Sequence, residues 1–144
     1  MPTIFASVVT AVVDALNAGT PVSPQVHRAR VRPGASEWAT LVVIRLLDAA
    51  MEPFAVQGAP YNVDTQLAVE CYARGSAGQA PDLAVDALLA AVYARLAADP
   101  TLGGLVSDLQ PVTLSYDFDA DGEPTASATM TYTVRHRAGN QSLE

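Results

Sequence analysis

At 144 residues the chain is long enough for one sizeable core and too short for two. Half of it is apolar, aromatics stand at only 6%, and the formal charge is −7, with all eight basic residues arginine. A surface that grips phosphates needs a surplus of Lys and Arg for counterion release, so this balance argues against a nucleic-acid-binding domain. It leaves room for an acidic wall that DNA slides past without sticking. The single cysteine, Cys71, excludes an internal disulfide and any multi-cysteine zinc site. No basic segment leads into an apolar run at the start, and no apolar stretch reaches the roughly 18 residues that span a bilayer. The expectation is one soluble, acidic, intracellular domain over residues 1–142 with no membrane part, residues 143–144 being set aside as a cloning scar.

In chain order, residues 3–18 place Ile4, Val8, Val12 and Leu16 at a spacing of four, widened by Phe5, Val9 and Val13. That stripe predicts an amphipathic helix, capped by Thr3 and ended by Gly19 and Pro21. Residues 26–32 predict a short strand, with Arg28, Arg30 and Arg32 on one side and His27, Ala29 and Val31 on the other. Residues 38–47 predict a second strand, in which Leu41, Val42, Val43 and Ile44 form a run buried on both faces. Residues 48–60 show no clean period and predict a long excursion containing Met51, Pro53 and Phe54. Residues 63–74 alternate, with Val63, Thr65, Leu67, Val69, Cys71 and Ala73 sharing one face of a strand.

Residues 81–99 predict the second helix, with Pro81 in its first turn, Pro100 closing it, and Val85, Leu88, Leu89, Val92 and Leu96 on one stripe. A turn at Leu102, Gly103, Gly104 and Leu105 leads to a hairpin over residues 112–137, turned at Asp121-Gly122, the dipeptide that best tolerates positive φ. Val112, Leu114, Tyr116 and Phe118 are its first apolar face, and Ala126, Ala128, Met130, Tyr132 and Val134 its second. The order α-β-β-β-α-β-β predicts an α+β fold in which both helices pack on one face of a largely antiparallel five-stranded sheet.

No pattern points firmly to chemistry. Asp117, Asp119, Asp121 and Gly122 have the oxygen-ligand spacing that opens an EF-hand loop, but the twelfth position is Ala128 where a bidentate Glu is required. An acidic hairpin tip fits better. His27 and His136 sit in no metal-ligand pattern, no serine lies in a nucleophile elbow, and Gly103-Gly104 follows a helix where a phosphate loop would precede one. Cys71 falls on an apolar strand face and reads as a small hydrophobe. The expectation is a protein without catalytic, cofactor or metal residues.

The last strand instead carries Thr or Ser at every outward position from Thr125 through Thr129, Thr131 and Thr133, a face almost without charge. A solvated strand surface usually carries charge against edge pairing. Met51 and Phe54 are apolar residues outside any periodic element. These six residues are the candidate interface: Met51, Phe54, Thr125, Thr129, Thr131 and Thr133.

Taken together, the segments "VHRARVRP", "TLVVIRL", "TQLAVECYAR", "DALLAAVYARLAADPTLGGLV" and "ATMTYTVRHR" resemble the tail-terminator family of long-tailed bacteriophages, including minor tail protein U-like members. The resemblance covers nearly the whole chain and rests on layout. It implies a structural protein of the virion tail, assembled in the host cytoplasm as a homo-hexameric ring. Such a ring caps the head-proximal end of the tail tube protein, ends its polymerisation, and offers a surface to a head-completion or connector protein while DNA passes through the lumen. No catalytic residues are carried over. Two other readings compete: a neck or tail-completion protein at another station, and a small non-viral α+β module that binds a ligand.

Overall fold

The computed structural model describes residues 2–28, 39–53, 60–75, 78, 80–118, 125–139 and 142–143. Its elements are α1 (Ile4–Asn17), β1 (Val26–Arg28), β2 (Thr40–Pro53), β3 (Tyr61–Arg74), α2 (Pro81–Ala97), β4 (Asp108–Phe118) and β5 (Thr125–Ala138).

Both helices start and stop where local chemistry says they should. The Thr3 hydroxyl accepts from the Ala6 amide at 3.3 Å, and Gly19 takes the left-handed conformation just past the end of α1 (φ 60°). Pro81 opens α2. Beyond its end, Leu102, Gly103 and Gly104 hold positive φ values of 50°, 72° and 90°. Leu102 has no glycine freedom there; its buried side chain and the Asp99 carboxylate, which accepts from the Gly103 amide at 2.9 Å, hold the turn.

The sheet has the order β1-β2-β3-β5-β4. β1 lies parallel to β2 over three residues, and every other pairing is antiparallel. β5 pairs with β3 along its full length and lies between β3 and β4, which therefore run in the same direction, joined through α2. One core forms where Val8, Val12 and Leu16 of α1 and Val85, Leu88, Val92 and Leu96 of α2 meet a single sheet face. That face consists of Val42 and Ile44, Leu67, Val69 and Cys71, and Ala128, Met130, Tyr132 and Val134. The α+β fold with two helices on one sheet face is thus as expected, as are both helical stripes, the doubly buried run 41–44 and the buried face of β3. Among the described residues, no helix is long and apolar enough to cross a membrane.

Three readings need correction. Residues 48–53 are not an excursion: they continue β2 in register with β3, from Asp48 opposite Gln66 to Pro53 opposite Tyr61. A bulge between Leu46 and Asp48 breaks the period, and from Arg45 onward every side chain is exposed, so no alternation marks the strand. The apolar face of β4, although it alternates as a core face would, does not complete the core, because α1 lies over β1 and β2 and α2 over β3 and β5; among its described side chains only Leu109, at its start, is buried. His136, which a position at the very end of the last strand would leave partly exposed, is buried and hydrogen-bonded. The expected continuation of the first strand through Arg30 and Arg32, the turn at Asp121-Gly122, and Asp119 of the acidic tip fall outside the described residues.

Candidate functional site: an open sheet face and two margins

With both helices on one side, no described helix or strand lies over the opposite face of the sheet, although Leu41, Val43 and Ala68 on that face are buried. Beside the central strand β3 runs β5, whose outward positions are Thr125, Ser127, Thr129, Thr131, Thr133, Arg135 and Arg137. Across the registers, Thr131 stands between Ala68 and Thr113, Thr129 between Glu70 and Ser115, and Ser127 between Tyr72 and Asp117. The middle of the face is therefore a field of short hydroxyl side chains. Charge enters this face at Glu70 on the central strand, which pairs with Arg45, and near its end, where Arg135 pairs with Asp64, both at 3.3 Å. The Arg135–Asp64 pair is exposed on both sides and contributes little stability, whereas Glu70 is largely buried beside Arg45. Gln66 donates to Thr133 at 3.4 Å, and the Thr125 hydroxyl oxygen is buried with no hydrogen-bond partner among the described residues.

The candidate interface residues divide between the two faces. Thr125, Thr129, Thr131 and Thr133 fall on one line along the open face. Met51 sits opposite Val63 on the helix-facing side of β2 and is 44% exposed, beyond the reach of the helices. Phe54 lies outside the described residues. The structure thus separates the candidates into two patches.

A third patch escaped the sequence reading. On β4, Val112, Leu114 and Tyr116 are 55%, 40% and 50% exposed. Their alternation was visible but was taken as core. β4 is a margin of the sheet, and among the described residues nothing pairs with its outer edge. On the far side, β1 covers β2 only at Val42, Val43 and Ile44, so the outer edge of residues 45–53 is also open among the described residues. Exposed Leu46, Leu47 and Met51 belong to that stretch.

Nothing in the geometry assembles a reaction centre. His136 Nε2 lies 2.7 Å from the Thr65 hydroxyl, its Nδ1 lies 3.3 Å from the Arg137 carbonyl oxygen, and the Phe5 ring meets it edge-on at 5.4 Å. Burial lowers its pKa, partly offset by the Arg137 carbonyl and by Asp64. A neutral ring donating from Nδ1 and accepting at Nε2 satisfies both neighbours, which is a structural role. Burial pushes the Cys71 thiol up to about 12, far from a thiolate at neutral pH. Arg28 reaches back to α1, donating to the Thr10 hydroxyl at 2.7 Å and the Ala6 carbonyl at 3.3 Å. Arg95 of α2 donates to the carbonyls of Ala15, Ala18 and Thr20 at 2.9, 2.7 and 2.7 Å, closing the end of α1. Among the described residues no three His, Cys, Asp or Glu side chains gather as a metal-ligand set.

No protein-family model matches the chain, and no curated protein matches it by sequence. Among solved structures, a chain of the one titled "Virion of native gene transfer agent (GTA) particle" superposes with a TM-score of 0.53 at 14% identity. The match covers 94% of this chain and 98% of that one. The fold of this chain is similar, from end to end, to that of one component of a virus-like particle.

Proposed function

We propose that this chain is a structural subunit of a phage-like particle and acts by surface complementarity, without catalysis. Its place is the head-proximal end of a tail tube, where a ring of copies stops tube growth and offers a joining surface to a head-completion protein while DNA passes through. The end-to-end likeness to a chain of a gene transfer agent virion carries this reading, since it relates the whole domain to a particle component. Two further features support it. The outward positions of β5 from Thr125 to Thr133 carry hydroxyls and no charge, where a solvated strand usually carries some, and shape-complementary contacts suit such flat, weakly charged surfaces. A ring also needs two different patches per subunit, and the exposed surfaces fall on opposite faces and opposite margins. The acidic balance suits a passage that DNA must not adhere to.

The test is tail assembly with Thr131→Arg, a substitution at the centre of the open face. The variant is expected to keep the parent's thermal transition while tail tubes grow beyond normal length in electron micrographs. Tubes of normal length, both with this variant and in particles made without the protein, would overturn the reading.

A further inference from the structure

We propose that copies of this chain join margin to margin, the outer edge of β4 in one copy running antiparallel to the open second half of β2 in the next. The inference rests on the reading of the chain as a self-assembling particle subunit and names the surfaces that assembly uses.

Backbone chemistry comes first. Both margins are edges with which no described strand pairs, and strand addition is the direct way to satisfy the outward amides and carbonyls of such an edge. Native sheets usually protect such edges with charge. On β4 the charges sit at Asp108 and Asp117, leaving residues 109–116 without any. Pro111 and the bulge that follows it limit pairing to residues 112–118, the stretch carrying exposed Val112, Leu114 and Tyr116. The β2 margin offers Leu46, Leu47 and Met51 over residues 45–53, a comparable length, with the charged Arg45, Asp48 and Glu52 spaced among them.

Direction and level agree as well. β2 and β5 run one way, β3 and β4 the other, so a neighbour in the same orientation brings its β2 antiparallel to β4. Ser115, midway along the free part of β4, is level with Glu70 on β3 and shares its outward face, whereas Asp48, in the open part of β2, is level with Gln66 on that same face. Bringing the two together displaces successive copies by four residues, about 14 Å along the strands. Four strand spacings of about 4.8 Å separate one β2 from the next, giving a tilt of about 35°. Sheets that close on themselves tilt by about 35–45°, so this contact is compatible with a closed ring.

The occupant is a second copy because one chain supplies both halves, apolar against apolar, on opposite margins. Covering the six apolar side chains and the paired backbone removes on the order of 1,000 Å² in total, at the low end of specific contacts. A single contact of that size is weak; two per subunit in a closed ring reinforce one another.

Crosslinking with a short bis-maleimide tests the contact in the full chain at up to about 1 mM, a concentration that populates weak complexes. Buried Cys71, with its thiol raised, stays silent. The double variant Leu47→Cys with Leu114→Cys is expected to give a covalent ladder from dimer upward. Each single variant alone should stay monomeric, and an equal mixture of the two should stop at dimers. Covalent dimers from Leu114→Cys alone, or no ladder from the double variant, would overturn the proposal. If Leu114→Cys fails to fold, Val112→Cys takes its place. A protein that caps tubes without giving a ladder keeps its function and loses this contact, so the two failures are distinguishable.

Discussion

The middle and the margins of the sheet are built from similar letters and meet opposite fates. β5 alternates Ala126, Ala128, Met130, Tyr132 and Val134 with hydroxyl residues, and every apolar member is buried. Its partner β4 alternates Val112, Leu114 and Tyr116 with polar residues in the same manner, and all three stay about half exposed. Alternation reports that a strand has two unlike faces. Whether the apolar face is covered depends on how far the helices extend across the sheet: α1 lies over β1 and the first half of β2, α2 over β3 and β5, and β4 and the end of β2 lie beyond them.

Truncating one residue in each region gives the sharpest contrast. Leu67→Ala, at the floor of the core, is expected to cost about 2–5 kcal/mol in urea unfolding, whereas Leu114→Ala should cost less than about 0.5 kcal/mol. Equal losses would mean that β4 is covered after all. The next effect concerns what holds the cover in place. Arg95→Ala strips three carbonyls at the end of α1 of a charged donor and should cost about 2 kcal/mol. Arg95→Lys should recover less than half of that, since an ammonium cannot fork across several carbonyls.

A smaller effect belongs to the end of the sheet beneath Phe5. His136 is held below its ordinary pKa by burial, so the unfolded chain binds the proton more readily. Stability should therefore be full above pH 6.5 and fall as the pH drops below that value toward the lowered folded-state pKa. His136→Gln should flatten the thermal transition between pH 7.5 and 5.5. A profile unchanged by this substitution would remove His136 as its source. The smallest effect is expected at Tyr132, whose hydroxyl is buried without a hydrogen-bond partner among the described residues. Tyr132→Phe should be neutral or stabilising by up to about 1 kcal/mol. A clear loss would reveal a partner for that hydroxyl.

Much of the middle was legible because periodicity and burial coincide there. Spacing of four marked α1 and α2, period two marked β3 and β5, and an unbroken run marked the doubly buried residues 41–44. The margins were illegible for the complementary reason. Residues 48–53 are exposed on both sides, so burial imposes no pattern, and the bulge at Leu47 shifts what alternation there is. The role of Arg95 could not be read either, because its partners lie 75 to 80 residues away in the chain. Among the candidate interface residues, the line of threonines was visible as a face. That Met51 belongs to a different face and a different margin required the register.

The position of β5 has a consequence in time as well as in space. Although it follows every other strand in chain order, it is inserted between β3 and β4, and nearly every contact it makes to β3 crosses more than fifty residues. Contacts that distant form slowly, because the loop must close before pairing stabilises it. Until β5 arrives, β3 and β4 each carry one more open edge, and half of the core floor is missing. Completing the core and closing those two inner edges are a single event, so a partly folded chain offers neighbours the wrong edges. The finished margins, by contrast, exist only after β5 has been threaded into place.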